Sequence, residues 1–263
     1  MGKTRLDTLL VERGLFESRS RAAAAVMAGE VRLGADGARA EKPGQLVAAD
    51  APVAVDDLPG YVSRGGVKLA NALDSFGLDP SGRCCLDVGA STGGFTDCLL
   101  QRGAQHVVAL DVAYGELHWT IRNHAHVTVV ERTNARALDA SLLAYRPDLI
   151  VMDVSFISLA KVLPAVLACA AERFDCLALV KPQFEVGRER VGKGGVVRSA
   201  DDRRAALVAV GQCALALGHS VLGFASSGLP GPAGNEESFV WIVEQGRPGA
   251  REDLDAAARE VEP

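Results

Sequence analysis

The chain has 263 residues, 48% of them hydrophobic, enough for one large domain or for one small and one medium domain with a real core. A formal charge of −5 excludes a protein that holds nucleic acid by bulk positive charge, so any RNA contact must come from local patches. Six cysteines without CxxC spacing, a start (Met1-Gly2-Lys3-Thr4-Arg5) without an apolar signal core, and apolar segments (159–171, 205–217) too short to span a bilayer predict a cytoplasmic protein with structural thiols and no membrane insertion.

Residues 6–10 and 22–27 read as short helices, with Gly14 as the stop of the first and Ser18 as the N-cap of the second. Residues 31–33 and 53–55 read as strands, and Lys42-Pro43-Gly44 and Asp56-Asp57-Leu58-Pro59-Gly60 as loops. The pattern predicts a small α+β module over 1–58 and a hinge over 59–63. In this module Lys3, Arg5, Arg13, Arg19, Arg21 and Arg32 outnumber Asp7, Glu12, Glu17 and Glu30. Charge alone fits a solvated helix face as well as an RNA-binding one. The motifs Arg5-Leu6-Asp7, Arg13-Gly14, Ser18-Arg19-Ser20-Arg21-Ala22 and Gly29-Glu30-Val31-Arg32-Leu33 together resemble the RNA-binding domain of the ribosomal protein S-four type. That resemblance implies that two helices present basic side chains to folded RNA, with Arg5, Arg19 and Arg21 as the candidates.

From residue 81 strands and helices alternate. Strands are predicted at 84–88, 107–111, 127–131, 148–153, 176–181, 220–225 and 239–243. Near-continuous apolar strands separated by helices imply an α/β fold, a mostly parallel sheet covered on both faces, whose strand carboxyl ends form the ligand crevice. This domain is expected over 64–246. The acid-rich segment 247–263, with Asp253, Asp255, Glu260 and Glu262, reads as a C-terminal tail.

The first of these strands runs into Asp87-Val88-Gly89-Ala90-Ser91-Thr92-Gly93-Gly94-Phe95, a strand, tight turn and helix start. Its glycines permit close approach of a ligand to the backbone. Asp111 follows at the spacing, about twenty residues, from which an acid grips a ribose hydroxyl in doubly wound folds. The loop is not GxGxxG and no Walker lysine follows it, so neither a dinucleotide nor a triphosphate is expected. S-adenosylmethionine, a ribose without a phosphate, fits better; an ordinary strand-to-helix turn is the competing reading. The cofactor-binding candidates are Asp87, Gly89, Ala90, Ser91, Thr92, Gly93, Phe95, Asp111 and Asp153.

Polar residues close the other apolar strands. Asp153 ends Leu149-Ile150-Val151-Met152, and Lys181 ends Leu177-Ala178-Leu179-Val180. Lys68 lies in Ser63-Arg64-Gly65-Gly66-Val67-Lys68-Leu69, and Glu237 follows Gly234-Asn235-Glu236. Singly, each is as well explained by a surface ion pair. Together around one point they suit chemistry on a weak nucleophile such as a ribose 2′-hydroxyl. A neutral lysine can take its proton, while acids orient the amines. Lysine gives up its own proton more readily when desolvated or near another cation. Methyl transfer from a sulfonium is an in-line displacement, so alignment dominates and base help is modest. Phe156, just past Asp153, is a candidate to stack on a base drawn out of its helix, with core packing as the alternative. Arg64 and Arg132 are candidate RNA or cofactor contacts or surface ion pairs. The loop 184–195, rich in glycine and carrying Arg188 and Lys193, reads as a mobile flap on the RNA side. The five histidines show no ligand spacing, so no metal is expected.

Ser63 to Leu69, Gly89 to Phe95, Glu131-Arg132-Thr133-Asn134-Ala135-Arg136, Asp153-Val154-Ser155-Phe156-Ile157-Ser158, Val180-Lys181-Pro182-Gln183-Phe184-Glu185 and Gly234-Asn235-Glu236-Glu237 together resemble the TlyA family, whose members are 2′-O-methyltransferases of ribosomal RNA also labelled hemolysins. The resemblance spans nearly the whole chain. It implies a Rossmann-like, FtsJ-like methyltransferase domain with a mostly parallel seven-stranded sheet, S-adenosylmethionine as donor, and cytidine ribose in ribosomal RNA of one or both subunits as acceptor. Ribosomal subunits are then the partners, and the protein acts as a monomer or weak dimer. The family's catalytic tetrad falls on Lys68, Asp153, Lys181 and Glu237, with Lys181 as base or hydroxyl positioner, Asp153 orienting it, and Lys68 and Glu237 completing the ring. The chain departs from the family twice. Pro59-Gly60-Tyr61-Val62 stands where actinobacterial members usually carry Arg-x-Trp-Val, and Glu236 is a second acid beside Glu237. A membrane-active cytolysin and a noncatalytic ribosome-assembly factor are the rival readings.

Overall fold

The computed structural model describes residues 2–16, 18–27, 29–34, 37–55 and 60–262, and the chain divides into two compact units, residues 1–64 and 65–263. Asp56 to Pro59, which include the start of the expected hinge, lie outside the described residues.

In the first unit, β1 (Lys3–Arg5) leads directly into α1 (Leu6–Glu12), and α2 (Arg19–Met27) packs against it. Leu6 and Leu10 share one helical face and are fully buried with Ala22, Ala25 and Val26 of α2 and with Val31. Gly14 ends α1 with φ +69°. Its N–H donates to Val11 O (2.9 Å) and the Leu15 N–H to Leu10 O (3.0 Å), the Schellman pattern that a left-handed glycine makes possible. Ser18 Oγ accepts the Arg21 N–H (3.2 Å) as the N-cap expected of it. β2 (Val31–Leu33) pairs antiparallel with β3 (Ala38–Arg39) and β5 (Val53–Val55), while β4 (Leu46–Ala48) pairs with β1. The sequence does not announce β1, β3 and β4, which are too short to show an alternating pattern.

In the second unit seven strands form one sheet: β6 (Cys84–Val88), β7 (His106–Leu110), β8 (Val127–Val130), β9 (Leu149–Met152), β10 (Asp175–Val180), β11 (Ser220–Ser226) and β12 (Ser238–Val243). Their order is β11-β12-β10-β9-β6-β7-β8, with β12 antiparallel to its neighbours and the adjacent pairs from β10 to β8 parallel. The strand order reverses between β6 and β9, which is where an open α/β sheet opens its ligand crevice. The helices are α3 (Arg64–Phe76), whose first residue belongs to the first unit, α4 (Gly94–Gln101), α5 (Trp119–Arg122), α6 (Leu163–Ala168), α7 (Pro182–Glu185), α8 (Ala200–Ala216) and α9 (Leu254–Val261). The α/β class and the mostly parallel seven-stranded sheet are as the sequence predicts.

The segment 247–263 is not a tail. α9 starts at Asp253, whose side chain accepts the Ala256 N–H (2.9 Å), and it buries Leu254, Ala257 and Ala258 in the core beside Val221 and Phe224 of β11. Leu254, Ala257, Ala258 and Val261 fall at the i, i+3, i+4, i+7 spacing of a buried stripe. At the amino end of β10 the buried Asp175 accepts from Arg83 (3.0 Å), Arg247 (2.6 Å) and the Trp241 indole (2.9 Å). These charges lock the end of the sheet opposite the crevice.

Candidate active site

The crevice is laced together by backbone. Gly89, at φ +84°, turns the chain after β6, and a side-chain carbon there would lie 2.6 Å from the Asp153 carbonyl oxygen. Both the conformation and the space demand glycine. The Gly89 and Ala90 N–H groups donate to Leu110 O (2.8 and 3.1 Å), and the Asp153 N–H donates to Val88 O (2.9 Å). Asp111 accepts the Ser91 N–H on Oδ2 (2.7 Å) and the Ala113 N–H on Oδ1 (2.8 Å), so it staples the loop after β6 to the loop after β7. Between these loops lies a cleft of about 480 Å³ whose lining includes Gly89, Ser91, Asp111, Ala113, Asn134, Asp153 and Phe156, within the size range of small-molecule sites. A carboxylate at the end of β7 for a ribose, apolar walls from Val112 and Ile157, and the acid Asp153 at the end of β9 form a set that fits S-adenosylmethionine.

Of the expected cofactor residues, Gly89, Ser91, Asp111 and Asp153 line the cleft, whereas Asp87, Thr92, Gly93 and Phe95 do not. Ala90 borders an adjoining small recess and is itself buried. Asp87 is fully buried beneath the turn, where its Oδ2 accepts both the N–H (2.9 Å) and the hydroxyl (2.7 Å) of Thr96. It therefore fixes the first turn of α4 from outside the cleft lining, while its Oδ1 is buried without a hydrogen-bond partner among the described residues. Phe95 points into the core against Phe239, with ring centroids 5.8 Å apart. Gly93, at φ +94°, caps α4, and a side-chain carbon there would meet Leu117 at 2.9 Å. The Thr92 carbonyl accepts the His118 N–H (3.1 Å).

Burial pushes the Asp87 carboxyl up to about 7, against the pull of Thr96 and with help from the charges of Asp153 and Asp111. The folded protein thus holds this proton more tightly than the unfolded chain does. Its contribution to stability is full at low pH and falls as pH climbs from about 4, the ordinary carboxyl value, to about 7. Asp87→Asn is expected to flatten that part of the stability profile. Urea unfolding of both proteins on either side of the window checks it, and an unchanged slope would refute it.

The four tetrad residues form two ion pairs. Lys68 Nζ lies 2.5 Å from Glu237 Oε2, with both side chains buried. Lys181 Nζ lies 2.6 Å from Asp153 Oδ1 and donates to Ser155 Oγ (2.7 Å). The Lys181–Asp153 contact is one of charge, since Asp153 Oδ1 makes no aligned hydrogen bond. Register brings the pairs to neighbouring strand ends. Val180 faces Ser238 in the antiparallel β10–β12 pair, which sets Lys181 beside Glu237, and β9 delivers Asp153 on the other side of β10. The structure separates the two adjacent acids: Glu237 meets Lys68, whereas Glu236 is exposed and pairs with Arg203 at 2.8 Å.

Phe156 is 91% exposed at the rim of the cleft and has φ +64°. A non-glycine residue in that region stores about 1–3 kcal/mol, and exposure removes core packing as the reason for it. Arg64, a candidate RNA contact, is instead buried. Arg132 lies over the Tyr114 ring, 4.3 Å from its centroid. Arg188 and Lys193 are exposed, but their loop is pinned on both sides. Glu185 is tied to Ser158 before it, and after it Asn235 donates to Gly195 O (2.8 Å) and accepts the Val197 N–H (2.9 Å).

In the first unit Asp7 sits between two candidates. It accepts from Arg5 in bidentate fashion (3.0 and 2.7 Å) and lies 3.4 Å from Arg19. The hydrogen bonds from Arg5 hold its carboxyl well below the usual range. Both arginine side chains are about half exposed, so Asp7 aims them without covering them. The aiming role of Asp7, and the places of Asn134, Ala113 and Ser155 in the cleft lining, are not among the roles the sequence predicts. Asp7, Asn134 and Ser155 do lie inside the motifs that carry the resemblances, whereas Ala113 carries no signal.

Residues 61–243 match the family model described as FtsJ-like methyltransferase, and residues 4–53 match the S4 domain. Over 245 residues the chain is 50% identical to "16S/23S rRNA (cytidine-2'-O)-methyltransferase TlyA" of Mycobacterium tuberculosis (strain H37Rv), covering 92% of this chain and 91% of the relative. The chain belongs to the TlyA family. Another relative, "Putative rRNA methyltransferase YqxC" of Bacillus subtilis (strain 168), is 45% identical over 91% of this chain and 85% of its own. A solved structure described as "Putative hemolysin from Streptococcus thermophilus" superposes with a TM-score of 0.76 at 37% identity, covering 99% of this chain and 96% of that one. The hemolysin label thus recurs among TlyA-like proteins. In this chain no helix among the described residues is long and apolar enough to cross a membrane.

Proposed function

We propose that the protein transfers the methyl group of S-adenosylmethionine to the ribose 2′-oxygen of cytidine in ribosomal RNA of the small subunit, the large subunit or both. It works in the cytoplasm on ribosomal RNA or subunits, as a monomer or weak dimer, without engaging membranes. The observation that carries this reading is the Lys181–Asp153 pair at the carboxyl ends of β10 and β9, against the cleft.

The donor supplies a methyl carbon activated by its positive sulfur. Asp111 and the turn from Gly89 to Ser91, which line the cleft, would hold the donor, with Asp111 toward its ribose. Lys181 would hold the acceptor hydroxyl and, when uncharged, take its proton as the oxygen–carbon bond forms and the carbon–sulfur bond breaks, the sulfur leaving as a neutral thioether. Asp153 and Ser155 fix the direction of the Lys181 amine. The more deeply buried Lys68–Glu237 pair supports the end of β12 beside Lys181. Phe156 offers an exposed ring at the rim on which an extruded base stacks. Arg5, Arg19 and Arg21 in the first unit, with Arg188 and Lys193 in the second, contact RNA phosphates.

The deciding experiment incubates the protein with tritiated S-adenosylmethionine and each ribosomal particle from a strain lacking the enzyme, then maps the label. Label on a cytidine ribose supports the reading, and label on a base or none at all refutes it. Arg19→Glu is expected to weaken RNA binding by about tenfold at moderate salt and to lower the salt slope. Filter binding across a salt series checks this, and an unchanged slope would remove Arg19 from the interface.

A further inference from the structure

Two loops at the cleft rim are joined by more than the Lys181–Asp153 pair. Glu185, the last residue of α7, accepts the Ser158 hydroxyl on Oε2 (2.7 Å) and the Leu159 N–H on Oε1 (2.8 Å). The Phe184 ring lies against Phe156, with centroids 5.4 Å apart and planes tilted by 50°. Lys181 itself meets Asp153 and Ser155. The segment 153–159 is therefore clamped, contact by contact, onto the segment 181–185. Phe156 sits in the middle of the clamped stretch, in a backbone conformation that its own side chain disfavours. A residue so exposed keeps that conformation only if its flanks are held, and on the Ser158 side Glu185 does the holding. Glu185 is half-buried, and burial raises its carboxyl above the usual range. A carboxylate is thus kept in an unfavourable setting outside the cleft lining, bonded to Ser158 and Leu159.

We propose that Glu185 is a positioning residue for the RNA: it locks the Ser158–Leu159 end of the loop so that the Phe156 ring stands ready to receive the target base, while the cofactor cleft stays as it is. This rests on the reading of Phe156 as a stacking platform, and the test separates the two. Glu185→Ala frees both donors and lets the loop relax. Glu185→Gln keeps one carbonyl oxygen for the Leu159 N–H and an amide that can donate to Ser158 Oγ, so the clamp survives.

Methyl transfer to ribosomal particles would be measured under steady-state and single-turnover conditions for Glu185→Ala, Glu185→Gln, Phe156→Ala and the double variant Glu185→Ala/Phe156→Ala. S-adenosylmethionine binding would be measured by calorimetry and folding by urea melts. Phe156→Ala is expected to lower kcat/KM for RNA by about ten- to a hundredfold, the value of one stacked base. Glu185→Ala is expected to lower it by about tenfold, chiefly through KM, with donor affinity unchanged and with Glu185→Gln restoring most of the loss. The double variant should be no worse than Phe156→Ala alone, because both changes remove the same contact. If Glu185→Ala and Phe156→Ala multiply, or if donor affinity falls with Glu185→Ala, the positioning role is wrong. If Phe156→Ala is silent, the stacking platform itself is wrong. Should Glu185→Ala fail to fold, Ser158→Ala, which deletes one of the two clamp bonds, takes its place in the same cycle with the same expectations on a smaller scale.

Discussion

Lys181→Ala is expected to lower the single-turnover rate of methyl transfer by about a thousandfold, within the usual span for removing a positioned acid–base group, while S-adenosylmethionine binds as before. The reason lies in where the amine sits. Lys181 is the first residue past β10 and is held from two sides by Asp153 and Ser155. The other tetrad amine, on Lys68, is spent on Glu237 in a buried pair. Lys181, whose partners Asp153 and Ser155 line the cleft, is the amine placed to meet a substrate hydroxyl. Lys181→Arg tests what the amine does there. Arginine keeps the charge and the donors but cannot give up a proton. We expect it to fall nearly as far as alanine, because the larger planar guanidinium neither takes the proton nor holds the hydroxyl in the line set by the amine. Retention of a large part of the rate by the arginine variant would reduce Lys181 to a hydroxyl holder. Retention of the rate by the alanine variant would place the chemistry elsewhere or nowhere, as in an assembly factor that only binds RNA.

What sequence could reveal about this site follows the reach of its signals. Apolar runs ending in Asp111, Asp153 and Lys181 are local, and each does end a strand at the crevice. Asp87 breaks the pattern because it lies one residue before the end of β6. The strand pleat turns it beneath the loop onto Thr96, and only the next residues reach the ligand side. Phe95 looked like part of the glycine loop because it is contiguous with it, but α4 has already begun and its rotation carries the ring to Phe239. The choice between Glu236 and Glu237 depends on the antiparallel register of β12, and a shift of one residue reverses which acid faces inward. No local pattern encodes a contact between positions 68 and 237. The charges of α9 hid its stripe of Leu254, Ala257, Ala258 and Val261, since composition records acids and not the face they occupy. The role of Glu185 is hidden for the same kind of reason: its partners, Ser158 and Leu159, come from a different loop.

The buried pair makes a prediction about stability that can be separated from catalysis. Lys68→Met leaves Glu237, whose side chain is 1% exposed, without the amine it pairs with among the described residues. Loss of one member of a buried pair costs about 3–5 kcal/mol, because the remaining charge is desolvated and uncompensated. Urea unfolding should show this loss as a lower midpoint with an unchanged slope. The double variant Lys68→Met/Glu237→Met replaces the two charges with apolar side chains of similar length. It is expected to recover most of the stability, since such replacements are often neutral or better. The double variant should still transfer methyl groups poorly, because Glu237 stands beside Lys181 in the register and the electrostatic surroundings of the amine have changed. A stable but slow double variant would show that the pair is kept for the reaction at a cost to the fold. A stable double variant with full activity would make Lys68 and Glu237 structural and leave Lys181 and Asp153 as the whole of the chemical site. A single variant no less stable than the parent would mean that water already reaches Glu237.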